Sequence, residues 1–162
     1  MLALQGKDPT LSPCHPDTPT PSADWNPAQY ERFRDERSAP FYDSVLGFMG
    51  YRRSKTGDGW IDWDLPTAGG SCCSIAIRRA ERERPHDRYT VGLHHFAWAA
   101  ASRDDVDRLH AHLQKLGQKL GATILDAPAD YPQYRAGYYA LFFADPDGLK
   151  LEYAYTPADP DD

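Results

Sequence analysis

The sequence predicts an α+β fold built from paired βαβββ modules, the first of them lacking its opening strand. Three observations lead there. Candidate elements run α-β-β-β, then a linker, then β-α-β-β-β, so the second half repeats the first with one strand added. Within the second half, Val106, Leu109, Leu113, Leu116 and Leu120 fall at alternating spacings of three and four, the pattern of one helix face. Asp145-Pro146-Asp147-Gly148 then separates two apolar runs with strong turn chemistry, the signature of a β-hairpin.

Each element has a local reason. Residues 1–24 carry Pro9, Pro13, Pro16, Pro19 and Pro21 among polar residues and read as a disordered tail. Residues 25–156 are expected to form the domain. Its incomplete first module spans 25–79, the charged linker 80–90 and the second module 91–156, with 157–162 a short tail. Trp25 to Arg37 has a helical look, with Pro27 suited to a first helical position. A helix from Ser38-Ala39-Pro40 to Phe48 should bury Phe41, Val45, Phe48 and Met49. Tyr51–Ser54, Trp60–Leu65 and Cys72–Arg78 are short strands divided by Gly-rich turns. In the second module the strand Val91–Ala100 leads to a helix capped by Ser102, with Asp105 completing a capping box. The repeated Lys-Leu-Gly near its end offers Gly117 and Gly121 as alternative C-caps. Thr123–Asp126, Tyr138–Ala144 and Leu149–Tyr155 complete the module.

Composition narrows the function. The chain has 162 residues, 41% of them apolar, which suits one packed domain. A net charge of −6 supplies no basic footprint for nucleic acid. No apolar run approaches the roughly 20 residues of a membrane span, and no secretory signal is visible. The cysteines are Cys14, Cys72 and Cys73, and an odd count with an adjacent pair does not form a disulfide framework. A cytoplasmic setting is expected.

At Phe41 to Tyr51, Gly92 to Ala100, Tyr131 to Phe143 and Phe142 to Tyr155 the chain resembles the vicinal-oxygen-chelate superfamily of glyoxalases, bleomycin-resistance proteins and extradiol dioxygenases. The resemblance implies that paired modules curl into a cup-like mixed sheet around a small-molecule site. It implies a divalent metal (Fe, Zn, Mn or Ni) serving lyase, isomerase or dioxygenase chemistry, and frequent homodimers. Position by position, the family's metal ligands match His95 on the opening strand of module two and Glu152 on its closing strand. Module one departs from the pattern: Asn26 to Arg37 carries no His, and Ser71 to Arg79 carries neither Glu nor His. Trp25 to Pro40 resembles instead the start of trans-aconitate-type methyltransferases; without a Gly-rich nucleotide loop, methyl transfer does not follow from it.

Two readings therefore stand for His95 and Glu152. They are a metal pair, or a base and polar anchor in a binding cup; the blander alternative is a retained His and a surface Glu. Tyr131, Tyr134 and Tyr139, with Trp60, are the candidate ligand pocket, and Tyr138 and Trp63 belong to the same aromatic set; core packing is the competing reading. His94 should point away from His95 by strand alternation and pack toward the helix, while His110 and His112 should be solvated. Cys72 and Cys73 are expected to be buried as small apolar residues. The function classes open at this point are a metal-dependent enzyme, a non-catalytic binder of a flat small molecule, and a degenerate relative with no ligand.

Overall fold

The computed structural model describes residues 38–67, 72–80 and 86–158. The tail at 1–24, the Trp25–Arg37 segment, the middle of the linker and the last residues of the C-terminal tail lie outside them.

Helix α1, Ser38–Phe48, opens the described chain. Pro40 sits in its first turn, where a missing N–H costs no helical hydrogen bond. Phe41, Tyr42, Val45 and Leu46 are buried, while Phe48 and Met49 are only partly so, which turns the helix slightly from the expected face. The helix ends in a Schellman motif. Gly50, at φ 90°, donates to the Gly47 carbonyl at 3.1 Å, and Tyr51 N–H donates to that of Leu46 at 2.9 Å. Strands β1 (Arg52–Gly57), β2 (Trp60–Pro66) and β3 (Cys72–Arg78) follow as an antiparallel sheet in sequence order. Alternation along β2 sends Ile61 and Trp63 into the core.

The second module is complete. Strand β4 (Phe96–Ala99), helix α2 (Arg103–Leu120), β5 (Thr123–Asp130), β6 (Tyr139–Ala144) and β7 (Lys150–Tyr155) build a sheet in the order β4-β7-β6-β5. β4 runs parallel to β7 and the other pairs are antiparallel, so the sheet is mixed. The capping box forms: Ser102 Oγ accepts the Asp105 N–H at 3.1 Å and donates to its carboxylate at 3.0 Å. Of the two candidate C-caps, Gly121 (φ 68°) is used, and Gly117 stays inside the helix. β4 is shorter than the Val91–Ala100 run suggested. Its parallel partner begins only after the hairpin turn, with Phe96 opposite Leu151, so residues before Phe96 have little of β7 to pair with.

Among the described residues the strands form two sheets, not one continuous sheet. One core nevertheless unites the modules. Phe41, Val45, Leu46 and Trp63 from the first pack with Val106, Leu109, Leu113, Leu141, Phe143 and Leu151 from the second. The Phe41 and Phe143 rings lie 6.3 Å apart. The predicted hairpin turn also acts as a latch. Asp145 Oδ1 accepts the N–H groups of Asp147 (2.9 Å) and Leu149 (2.8 Å), while Oδ2 accepts the Tyr42 hydroxyl of α1 at 2.8 Å. Ser38 donates to Asp147 beside it at 2.9 Å. Burial and the Asp145 carboxylate push the Tyr42 hydroxyl well above the usual tyrosine range, so it remains a donor.

Candidate functional site

Strand alternation gives the second sheet two faces. Leu141, Phe143, Leu151 and Tyr153 face the core and α2. The opposite face, which none of the described helices covers, carries Ala140, Phe142 and Ala154, buried against Tyr131 and Tyr138. Glu152 lies opposite Ala97 on one side and Phe142 on the other, so it belongs to this open face, as does Tyr138 by its even spacing from Ala140 and Phe142. His95 precedes β4 by one residue and reaches the same place.

These side chains form a continuous hydrogen-bonded chain. The Tyr138 hydroxyl donates to Glu152 Oε1 at 2.6 Å, and His95 Nε2 lies 3.2 Å from Glu152 Oε2. His94 Nδ1 is 2.7 Å from His95 Nδ1. Glu152 is only 4% exposed, so its charge is taken out of water, and partners on both oxygens offset that desolvation. Burial lowers the His95 pKa from its ordinary value, Glu152 partly opposes this, and His94 and Lys150 add to it. Burial, followed by the bond to Glu152, pushes the Tyr138 hydroxyl above the usual tyrosine range. The protons can then be assigned from the partners. A carboxylate only accepts, so His95 presents Nε2–H to it. With His95 neutral, its Nδ1 carries a lone pair and accepts from His94 Nδ1–H.

Beside the chain stands an aromatic cluster. Tyr131 and Tyr134 stack with centroids 5.9 Å apart and planes 14° apart, Tyr131 meets the edge of Phe142 at 5.2 Å, and Tyr134 meets Tyr138 at 5.5 Å. Tyr134 is 63% exposed. The Lys150 ammonium rests over Phe142 at 4.0 Å from its centroid. Backbone bonds from Tyr131 N–H to the Tyr138 carbonyl (2.9 Å) and from Tyr134 N–H to that of Tyr131 (3.0 Å) hold this loop closed.

His95 and Glu152 meet, and Tyr131 and Tyr134 lie beside them. Tyr139 and Trp60 do not join the cluster. One residue after Tyr138, Tyr139 faces the helix: its hydroxyl donates to Asp107 of α2 at 2.8 Å, under the Arg103 guanidinium. Trp60 covers Gly57 in the β1–β2 hairpin, where a Cβ would meet its indole at 2.2 Å. Trp63 is a core residue whose Nε1 donates to Asp43 at 2.9 Å. His94 lies outside regular strand, so alternation does not govern it, and it is exposed against His95 instead of packed on the helix. His112 is half-buried between the helices, 2.8 Å from Ser44 Oγ, and Cys73 is exposed. Tyr138 is the central residue that residue types alone undervalued; counting back from the hairpin by strand parity would have found it.

The described residues do not fit a divalent cation. Each Glu152 oxygen has a partner, the Tyr138 hydroxyl or His95 Nε2, and His95 Nδ1 lies against His94 Nδ1. Among the described residues no group of three or more His, Cys, Asp or Glu is placed to hold a metal, whereas protein sites for these metals use three or four ligands.

Comparison places this arrangement in a family. Residues 33–153 match the family model described as Glyoxalase/Bleomycin resistance protein/Dioxygenase superfamily, and the chain belongs to that superfamily. A crystal structure of a glyoxalase candidate from Bacillus halodurans is 28% identical, with a TM-score of 0.56 over 75% of this chain and 86% of that one. A glyoxalase/bleomycin resistance protein from Albidiferax ferrireducens T118 is 22% identical, with a TM-score of 0.56 over 75% and 89%. A glyoxalase-related enzyme from Fulvimarina pelagi is 22% identical, with a TM-score of 0.52 over 78% and 85%. The latter two share the fold. No curated protein matches the chain. The family match begins inside Trp25–Pro40, and the methyltransferase likeness of that stretch finds no support. No helix among the described residues is long and apolar enough to cross a membrane.

Proposed function

We propose that this chain binds a small, flat molecule on the open face of its second module. Tyr131 and Tyr134 supply the stacking surface, and Tyr138, Glu152 and His95 form the polar anchor. The carrying observation is that a closed polar chain, with its charge buried, stands beside an aromatic stack open to solvent. An aromatic face offers area at little entropic cost, and a few fixed polar groups orient what lands on it. The divalent metal of the family is not part of this reading, because among the described residues no group of three His, Cys, Asp or Glu is placed to hold one. The chain is then a binder in the manner of the family's resistance proteins; a homodimer in the cytoplasm is its expected form.

The test uses 4-nitrophenol, measured by equilibrium dialysis. Tyr134→Ala and Tyr131→Leu should each weaken binding about 2- to 10-fold, the worth of one aromatic contact. Tyr139→Phe, on the opposite face, should leave it unchanged. Equal losses from all three substitutions would remove the open face as the site. Metal analysis of the purified chain supplies the second arm: one Fe, Zn, Mn or Ni per chain, lost in His95→Ala and in Glu152→Gln, would restore a metal centre.

A further inference from the structure

We propose that the cleft between the Asp87–Thr90 turn of the linker and the β6–β7 hairpin is a binding site for a compact oxyanion, a carboxylate or phosphate group, held by Arg88 and His86. The cleft measures about 200 Å³ and is lined by His86, Asp87, Arg88, Tyr89 and Gly148. Pockets for drug-sized ligands run to roughly 300–1,000 Å³, so this one takes a group of a few atoms. Its walls are fixed by the chain itself. Asp87 Oδ1 accepts the Tyr89 N–H at 2.9 Å, and the Asp87 carbonyl accepts the Thr90 N–H at 3.2 Å and the Thr90 hydroxyl at 2.8 Å. A turn tied this way sets the residues on both sides of Asp87 before any ligand arrives, which lowers the ordering cost of binding. On the opposite wall Gly148, at φ 86°, donates its N–H to the Asp145 carbonyl at 3.0 Å. A Cβ added there would meet nothing within 4 Å beyond its chain neighbours, so this wall is bare backbone beside open space.

Two groups in the cleft lack the partner their chemistry calls for. Arg53 faces Asp43, Arg103 faces Asp130, and Arg108 faces Asp104 and Asp105. Arg88 is half-buried and, among the described residues, faces no carboxylate; its guanidinium lies 5.2 Å over the Tyr89 ring. A guanidinium stacked on an aromatic face still directs its N–H fork outward in its own plane, and two oxygens of a carboxylate or phosphate match that fork. The second group is His86, whose Nε2 is buried and, among the described residues, bonded to nothing. Buried polar atoms are nearly always satisfied, so an orphan in a cleft marks where a ligand supplies the bond. Facing an oxyanion, Nε2 carries a hydrogen in the neutral ring and in the imidazolium alike, so its role as donor does not depend on titration. Two donors, one of them permanently charged, select an anion over a neutral carbonyl. Asp87 opposes it. Its Oδ1 is engaged by the Tyr89 N–H, but its charge remains beside the site and limits the affinity.

This cleft shares no residue with the Tyr131–Tyr134 stack or its polar anchor, so its test stands apart from the proposed function. Inorganic phosphate and acetate are titrated separately into the ¹⁵N-labelled full chain at fixed ionic strength, reading the His86 ring and Arg88 Nε–H signals by NMR. Both signals should shift together and saturate with at least one of the two anions, and the tighter binder names the group the site prefers. Arg88→Met and His86→Phe should each weaken that binding about tenfold, the worth of one hydrogen bond to a charged group. Arg52→Gln, which removes the same charge from β1, and Tyr134→Ala should leave it unchanged. Asp87→Asn keeps an oxygen for the Tyr89 N–H and removes the opposing charge, so it should bind the anion several-fold more tightly, a gain that a damaged fold cannot produce. Shifts that never saturate with either anion overturn the proposal. Binding that survives Arg88→Met, or that Arg52→Gln weakens equally, overturns it too, because general surface charge would then account for the effect.

Discussion

Replacing Tyr138 by Phe removes one oxygen and tests how the buried carboxylate is held. In the structure that oxygen is 2.6 Å from Glu152 Oε1, and Glu152 is almost without contact to water. A hydrogen bond to a charged group contributes about 1.5–3 kcal/mol, and a buried acceptor left unpaired loses most of that. Tyr138 is itself half-buried, so water can replace part of the bond, which points to the lower end, about 1.5–2 kcal/mol. Urea unfolding followed by tryptophan fluorescence reads this directly, since Trp63 lies in the shared core. With a slope of about 1–3 kcal/mol/M, the midpoint should fall by roughly 1 M. Tyr139→Phe is the control: it also deletes a hydroxyl bonded to a carboxylate, but an exposed one, and should stay within about 0.5 kcal/mol. A Tyr138→Phe protein as stable as its parent at pH 7 would refute a Glu152 held by this hydrogen bond.

The remaining predictions concern pH, the helix terminus and assembly. The folded His95 binds its proton less readily than an unfolded histidine, so its contribution to stability is present above about pH 6.5. It should be lost as pH falls through that value toward the lower folded one; thermal melts from pH 8 to 5 should show a slope that disappears in His95→Phe. Gly121→Ala should cost about 1–2 kcal/mol in chemical denaturation, because φ is 68° and the added Cβ would sit 3.3 Å from Pro146; a neutral result would mean that Gly121 is not the cap. Among the described residues β4 pairs only with β7, and Tyr89, Val91 and Leu93 beside it are exposed. A strand edge with no partner among the described residues, beside exposed apolar surface, favours self-association. Light scattering at micromolar concentration should report a dimer, and a clean 18.2 kDa monomer would count against it.

By itself the sequence determined the module order, the amphipathic face of α2, its cap at Ser102 and the Asp145–Gly148 turn. Those are local matters, decided by periodicity and by groups within four residues of each other. It also pointed to His95 and Glu152, through the family likeness of their strands. What they do was decided by tertiary structure. Parallel pairing of β4 with β7 joins residues 55 positions apart and sets His95 beside Glu152, and the β6–β7 register brings Tyr138 to the other oxygen of Glu152. Strand parity separates Tyr138 from Tyr139, one residue on, which residue type cannot distinguish. The same holds for Asp145, readable as a turn residue but not as the acceptor of Tyr42, because that bond spans 103 residues and exists only once both modules share a core. The polar pair is the clearest case: the sequence offers His95 and Glu152 as two separate residues, and only the fold joins them to each other, to Tyr138 and to His94.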